Sequence, residues 1–510
     1  MRLCALLNVT PILEASGDLD RQVTGLAYDS RKVEPGFVFF AFAGSRADGH
    51  DFAPEALRKG ASAVVLERKV PLPADAAWIR VANARYVMGK WAAELAGHPS
   101  KEMIVVGVTG TNGKTTVTYL LEKIFCAAGM APGVIGTISY RYQDRSFSAP
   151  QTTPESPELQ QLLLAMSRSK TRAVAMEVSS HALALERVRG IAFDGALFTN
   201  LTRDHLDFHR DMEDYFLAKA KFFTDYLLES PKPTRFAVIH GGDPRGPLLI
   251  DKCRAAGLNV WSYGLGEKWD IRPVEFTADL EGLRGRIAVK RRTFAFASSL
   301  IGVANLENIL CAAGAGFALG LPEEAVQRGI AELKSVPGRL ESIKNARGLC
   351  VLVDYAHTPD ALEKVLTATR PLTRGRLIAV FGCGGDRDPG KRPLMGEIAA
   401  RLSDVVVLTS DNPRSEEPLR ILAEIESGLK GAAIHKRRAD ERELSGAGEK
   451  SYAVEPDRRA AIRLALAVAR PGDLVLIAGK GHEDYQILGS QKVHFDDREV
   501  AAEELARLGP

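Results

Sequence analysis

The sequence predicts an α/β chain in three units, on three observations. Its 510 residues are enough for roughly three domains of ~150 residues each. Short apolar runs alternate with helical stretches over most of its length, and Gly- and Pro-marked breaks fall near positions 98 and 336. Hydrophobic residues make up 45% and charged residues 26%, as in an ordinary globular protein.

The first unit, 1–98, carries short apolar runs at 38–43 and 63–66 set among Gly and Pro, which read as a small α/β unit, and GHPSKEM at 97–103 reads as a linker. The second unit, 99–336, opens with VVGVTGTNGKTT. An apolar run at 104–108 ends in a turn with Gly110 and Gly113, and Lys114-Thr115-Thr116 starts a helix. That helix places Val117, Leu120, Leu121, Ile124, Phe125 and Ala128 on one face, with Gly129 as its stop. Runs at 173–178 and 196–198 are apolar enough for parallel strands buried on both faces. Over 271–297 the alternation turns strand-like without helices and predicts a small antiparallel sheet.

In the third unit, 337–510, the stretches CVLVDYAHTPD, RLIAVFGCGGDRD, DVVVLTSDNPR and DLVLIAGKGHE repeat one scheme, a buried strand followed by a polar loop. Ligands in open α/β sheets bind beyond the carboxyl ends of the strands, so these four loops are expected to border one crevice.

Composition excludes some classes. Lys and Arg number 67 against 64 Asp and Glu, a balance that argues neither for nor against nucleic acid, but the sequence has no long basic run and no aromatic-basic stripe, which argues against it. Cys4, Cys126, Cys253, Cys311, Cys350 and Cys383 form no CxxC pair, so a disulfide framework or zinc site is not expected and a reducing compartment is. The N-terminus, MRLCALLNVTPILEAS, is too weak for a signal peptide, and no apolar run approaches ~18 residues. A cytoplasmic monomer without membrane contact is expected.

The glycine loop carries the first chemistry. Strict Walker A spacing needs Gly where Val108 stands, so the loop is the compact G-T-N-G-K-T. Glycine still lets backbone N–H groups approach phosphate oxygens, the helix start adds positive field, and Lys114 adds charge. Thr115 or Thr116 offers a hydroxyl to Mg²⁺. Whether the phosphate goes to water, an alcohol or a carboxylate is open at this point. Glu177 ends one strand, and Asp204, His205 and Asp207 follow another, positions suited to Mg²⁺ coordination. His181 and His209 read as structural, and Lys219 by composition alone reads as a solvated helix residue. GCGGDRD places Arg387 where the third glycine of a dinucleotide fingerprint belongs, which rejects NAD. Arg387, Lys391 and Arg392 on that loop suit carboxylate groups instead.

Taken in order, these pieces resemble the Mur ligases, ATP-dependent amide-bond formers of peptidoglycan precursor synthesis. The matching stretches are DSR (29–31), GTNGKTT (110–116), TTPE (152–155), MEVSSH (176–181), NLTRDHLDFH (200–209), YFLAK (215–219), PGRLE (337–341), DYAHTP (354–359), GCGGDRD, DNPR (411–414) and GKGHE (479–483). Within the family the chain is most similar to the branch that adds meso-2,6-diaminopimelate to UDP-N-acetylmuramoyl-L-alanyl-D-glutamate. The resemblance implies an N-terminal domain for the UDP end of the substrate, a central P-loop-type ATPase domain, and a Rossmann-like C-terminal domain that swings to close the site.

It also implies roles. Ser30, Ser45, Arg46, Ala47, Thr152, Thr153, Ser179, Leu185 and Arg187 would bind the UDP-muramoyl-dipeptide. Gly110, Thr111, Asn112, Gly113, Lys114, Thr115 and Thr116 would bind ATP, with Asn305 on the adenine side in GVANLEN, where the family usually has Phe-Asn. Thr115, Glu177, His205 and a carbamylated Lys219 would hold magnesium. Arg387, Asp411, Asn412, Pro413, Arg414, Gly479 and Glu483 would bind diaminopimelate. Three other readings compete: a lysine-adding form, a folylpolyglutamate synthetase-like ligase, and a P-loop switch or motor that only hydrolyses ATP.

Overall fold

Apolar runs become strands here because alternate side chains leave a strand on opposite faces and both faces are covered. A computed structural model describes residues 1–44, 47–445 and 449–509. The first sheet holds β1 (Glu14–Ser16), β2 (Gly25–Ala27), β3 (Phe37–Phe40), β4 (Ala63–Leu66) and β5 (Trp78–Arg80) in the order β1-β5-β4-β3-β2. All its pairs are parallel except β1 with β5. The helix Ala84–Leu95 packs Val87, Met88 and Trp91 onto it, and Trp91 meets Phe40 edge-on with centroids 5.7 Å apart.

The second sheet has eleven strands. They are β6 (Ile104–Thr109), β7 (Pro132–Ile135), β8 (Ser139–Tyr142), β9 (Arg145–Ser148), β10 (Ala173–Glu177), β11 (Gly195–Phe198), β12 (Phe236–His240), β13 (Asn259–Tyr263), β14 (Ile271–Asp279), β15 (Gly282–Val289) and β16 (Arg292–Ser298). β6 lies inside the parallel part, β13-β12-β11-β6-β10-β7. Val105, Val174 and Met176 face Leu159, Leu163, Tyr215 and Phe216 on one side, while Val106, Val108 and Ala175 face Leu120, Ile124 and Ile309 on the other.

The antiparallel segment expected at 271–297 is not a sheet of its own. β14, β15 and β16 form a meander that extends the central sheet, joined through the parallel pairing of Tyr263 with Ile271. The unpaired edge of β13 supplies the reason, since open N–H and C=O groups recruit the next strand. On the opposite edge β8 and β9 add a hairpin that the apolar pattern did not announce. β9 reads RSFS and is exposed throughout, so it has no buried face to leave a signature.

The third sheet comprises β17 (Glu341–Ser342), β18 (Cys350–Asp354), β19 (Leu377–Phe381), β20 (Val405–Leu408), β21 (His435–Lys436), β22 (Ser451–Val454) and β23 (Leu474–Ala478), in the order β17-β18-β23-β19-β20-β22-β21. Apart from β17 its pairs are parallel. β23 enters between β18 and β19, so the loops after β18, β23, β19 and β20 are neighbours, as the repeated scheme predicts. A hairpin of β24 (Tyr485–Leu488) and β25 (Gln491–His494) follows, and Arg414 bridges to Leu488. No helix among the described residues is long and apolar enough to cross a membrane.

Beneath the loop ends lies a buried ion pair. Arg458 donates from Nε and Nη2 to the two carboxylate oxygens of Asp497, each at 2.7 Å, and neither side chain has exposed surface. The same guanidinium donates to Ser410 O and Ala478 O, just past β20 and at the end of β23. Asp497→Ala would leave a buried cation without its anion, a loss of about 3–5 kcal/mol. The expected result is a thermal midpoint several degrees lower by scanning calorimetry. An unchanged midpoint would show that the pair contributes no stability.

Candidate active site

Two glycines shape the loop between β6 and the helix Lys114–Ala127. Gly110 has φ +147° and Gly113 φ +87°. A Cβ would lie 1.8 Å from Thr199 Oγ1 at the first position and 2.3 Å from Asn308 Oδ1 at the second, so a larger residue is excluded at both. Asn112 N donates to Asn200 Oδ1 at 2.9 Å, and Thr199 Oγ1 donates to Asn112 O at 2.6 Å. The result is a rigid concavity at a helix N-terminus, where unpaired N–H groups attract anions.

Two lysines converge on this loop. Lys114 Nζ donates to Gly110 O at 2.9 Å and Thr111 O at 2.8 Å, and Lys219 Nζ donates to the same Gly110 carbonyl at 3.0 Å. Lys219 is 1% exposed, which corrects the solvated reading drawn from composition. The helix Met212–Lys221 turns Lys219 inward with Tyr215 and Phe216, and its Nζ lies 4.4 Å from the Tyr215 ring centre. Burial lowers the proton affinity of both amines. The shift is larger at Lys219, where the charge of Lys114 adds to burial and Asp204 opposes.

Oxygen donors gather beside the loop. Glu177, at the end of β10, is buried and accepts from Thr115 Oγ1 at 3.0 Å, Thr137 N at 2.9 Å and Thr137 Oγ1 at 3.0 Å. His205 follows β11 with φ +54°, and its Nε2 stands 3.5 Å from Asp204 Oδ2. Burial brings its imidazole down to about 4, and burial together with the neighbouring His205 and His209 does the same to His181. Both rings are therefore neutral near pH 7. Among the described residues no group of three or more His, Cys, Asp or Glu side chains is placed to hold a metal ion. The set beside the loop is mixed instead: a hydroxyl (Thr115), a carboxylate (Glu177) and a neutral imidazole (His205). The adjoining Thr115 and Glu177 oxygens fit a hard cation such as Mg²⁺. Lys219 as an ammonium does not fit one, and only an anionic derivative of it would.

A cleft of about 1140 Å³ runs from this region to the third sheet. Thr137, Thr152, His181, Asp204, His205 and Asp207 line it on the central side. Arg387, Asp411, Asn412, Arg414, Gly479 and Glu483 line it on the other. Arg414 sits in the left-handed region, φ +54°, with its N donating to Ile487 O at 3.1 Å and Nη1 to Gly385 O at 2.7 Å. Gly384 leaves room for it, since a Cβ there would meet Arg414 Nη1 at 2.9 Å. Pro413 is buried beneath this rim. Arg392 is a correction: it is 1% exposed and bonds Glu416 and Glu424 at 2.8–2.9 Å. Its charge is spent inside the fold and cannot grip a substrate carboxylate.

The remaining candidates are dispersed. Ser30, buried in the first sheet's unit, and Ala47, exposed, lie away from the cleft lining, and Ser45 and Arg46 fall outside the described residues. Thr153 is fully buried, its hydroxyl donating to Glu177 O and accepting from Ser179 N, while Ser179 Oγ caps the short helix Ser180–Ala184 that ends at Leu185. Arg187 pairs with Glu155 at 2.8 Å. Asn305 is buried, donating to Ile301 O and accepting from Asn308 Nδ2. His209 is 3% exposed and bonded to Ser180, a structural histidine as expected.

Two residues that sequence reasoning passed over take prominent positions. Asp360 accepts from Asn112 Nδ2 and Thr202 Oγ1, both at 2.9 Å, and so ties the third sheet to the glycine loop. Lys480 lies fully buried between the DNPR and GKGHE loops. Both stand inside motifs already singled out, but spacing does not distinguish a helix-start Asp or a loop Lys from a solvated one.

Comparison with known proteins adds three matching family profiles: "Mur ligase family, catalytic domain" over 22–95, "Mur ligase middle domain" over 108–316 and "Mur ligase, glutamate ligase domain" over 338–481. A Geobacter metallireducens protein named UDP-N-acetylmuramoyl-L-alanyl-D-glutamate--2,6-diaminopimelate ligase is 49% identical over 503 residues, 98% of each chain. A solved structure of a ligase with that name is 31% identical with TM-score 0.70 over 99% of each chain. The MurF ligase of Thermotoga maritima in complex with ADP shares the fold, with TM-score 0.59 and 20% identity over 95% of this chain and 97% of that one.

Proposed function

The chain belongs to the Mur ligase family, and from that premise we propose that it joins meso-2,6-diaminopimelate to the D-glutamyl carboxylate of UDP-N-acetylmuramoyl-L-alanyl-D-glutamate, using ATP, in peptidoglycan precursor synthesis. A carboxylate resists attack because oxide would have to leave. In the proposed sequence a carboxylate oxygen attacks the γ-phosphorus, ADP departs, and the acyl phosphate gains phosphate as a leaving group. The amine nitrogen of the incoming amino acid then attacks the acyl carbon, phosphate leaves, and the nitrogen loses a proton.

The glycine loop would seat the ATP phosphates, with Lys114 offsetting charge that gathers between two anions. Thr115, Glu177, His205 and carbamylated Lys219 would hold Mg²⁺, which when bound supplies positive charge to the same phosphate oxygens. Carbamylation needs an uncharged amine, and burial favours that form at Lys219. Its nitrogen bonds to CO₂ carbon and releases a proton, turning a cation into a carboxylate-like anion. A cytoplasmic monomer fits this reading, and the six cysteines are all unpaired.

The observation that carries the choice of amino acid is the mixed charge of one rim, Arg414 and Arg387 beside Asp411 and Glu483. Lysine and diaminopimelate share one α-amino carboxylate end, and only diaminopimelate has a second carboxylate. A planar guanidinium can grip that group in two-pronged fashion. A site built for a charged group rejects an analogue lacking it by as much as ~10⁴-fold. Efficient use of meso-diaminopimelate, little use of L-lysine, and a large rise in KM for diaminopimelate in Arg414→Ala are expected. Mass spectrometry of products from ATP, the UDP-muramoyl-dipeptide and a panel of diamino acids, followed by kcat/KM on both enzymes, tests this. Equal use of lysine by the native enzyme would remove the assignment of Arg414. ATP turnover that needs no amino acid would remove the ligase reading.

A further inference from the structure

Lys480 has no role in the scheme above, yet its surroundings are those of a site residue. It follows Gly479 beyond the end of β23, and its side chain has no exposed surface. Its ammonium donates to Asn412 Oδ1 at 3.1 Å and to Glu483 Oε2 at 3.2 Å, and stands 3.9 Å from Asp411 Oδ1. Asn412 in turn donates from Nδ2 to Glu483 Oε2 at 3.0 Å and accepts from Ile487 N at 3.0 Å. One buried cation therefore links the loop after β20, the loop after β23 and the start of the β24 hairpin. Its three side-chain partners are all residues of the proposed amino-acid rim.

Two physical consequences follow. Asp411 and Glu483 carry like charges on one rim, and Lys480 between them offsets their repulsion and fixes which Glu483 oxygen stays available. Oε2 is taken by Lys480 and Asn412, while Oε1 has the Tyr355 hydroxyl at 3.5 Å. The second consequence is selectivity by charge. An amino acid with two carboxylates and two ammonium groups is neutral overall, whereas one lacking the second carboxylate is a net cation. Lys480 leaves the Asp411–Glu483 pair with one net negative charge in place of two, and at short range with little screening that weakens the rim's attraction for a net cation.

We propose that Lys480 is a specificity-determining positioning residue of the amino-acid site. It holds Asn412 and Glu483 in place and supplies the buried positive charge that favours a neutral dicarboxylic diamino acid over a cationic one. The proposal rests on the reading that this rim receives the incoming diamino acid.

The test is kcat/KM for meso-diaminopimelate and for L-lysine on native protein and on Lys480→Met, Lys480→Gln and Lys480→Arg, each checked for an intact thermal transition. In the Met and Gln variants KM for diaminopimelate is expected to rise by on the order of tenfold or more, with KM for ATP and for the UDP-substrate little changed. The ratio of diaminopimelate to lysine use is expected to fall by a similar factor and to be kept largely by Lys480→Arg. If Lys480→Met does not fold, the Gln and Arg pair carries the comparison, because Gln keeps a donor but not the charge. A folded neutral variant with the native ratio overturns the proposal. A native enzyme that uses no diamino acid overturns the parent reading instead, so the two failures are distinguishable.

Discussion

Lys114→Ala is expected to lower turnover by on the order of 10³-fold or more. Its ammonium is surrounded by the carbonyls of Gly110 and Thr111 in a loop whose shape is set by contacts of Gly110 with Thr199 and of Gly113 with Asn308. Such a loop does not relax to bring another cation into place, and in a buried setting each charge counts for more than in water. Lys219 is the nearest substitute, but it shares the Gly110 carbonyl and burial disfavours its charged form. Steady-state release of ADP measures the effect. Near-native turnover would place phosphate binding elsewhere than this loop.

Lys219→Ala is expected to be nearly inactive, a loss of several kcal/mol of charge stabilisation, on the order of 10³-fold. Short carboxylates such as acetate are expected to restore part of the activity, because the deletion leaves room where the proposed carbamate's anionic end would be. Rescue separates this role from mere packing: Lys219 lies against Tyr215, and a packing defect does not respond to an added anion. Lys219→Arg keeps positive charge at the same point and cannot be carbamylated there. Native activity in Lys219→Arg would rule out the carbamate.

Much of the chain's architecture was legible because buried parallel strands leave unbroken apolar runs. The segments that became β6, β10, β18, β19, β20 and β23 are of this kind, and all are buried at most or all of their positions. The β8–β9 hairpin left no such trace because β9 faces solvent on every residue. The alternation at 271–297 was equally clear, but periodicity records which face is apolar and not which edge a strand joins. Its attachment depended on the edge that β13 leaves open once its other side is paired with β12.

Within the site the division follows the same physics. The glycine loop could be read locally, because strand, turn and helix start are consecutive and their backbone geometry demands glycine at fixed offsets. That loop, the buried strands and the order of the motifs that mark the family follow from local residue pattern alone. Tertiary structure alone decided the fate of each charge. Arg387 and Arg392 stand five residues apart, yet one lines the cleft and the other is neutralised by Glu416 and Glu424. Lys219 looked like a solvated helix residue and is buried beside Lys114, while Lys480 and Asp360 join loops from different sheets or strands. A charged side chain has the same local pattern whether water, a carboxylate or a carbonyl will surround it. Its partner is chosen only when distant segments pack and water is removed between them.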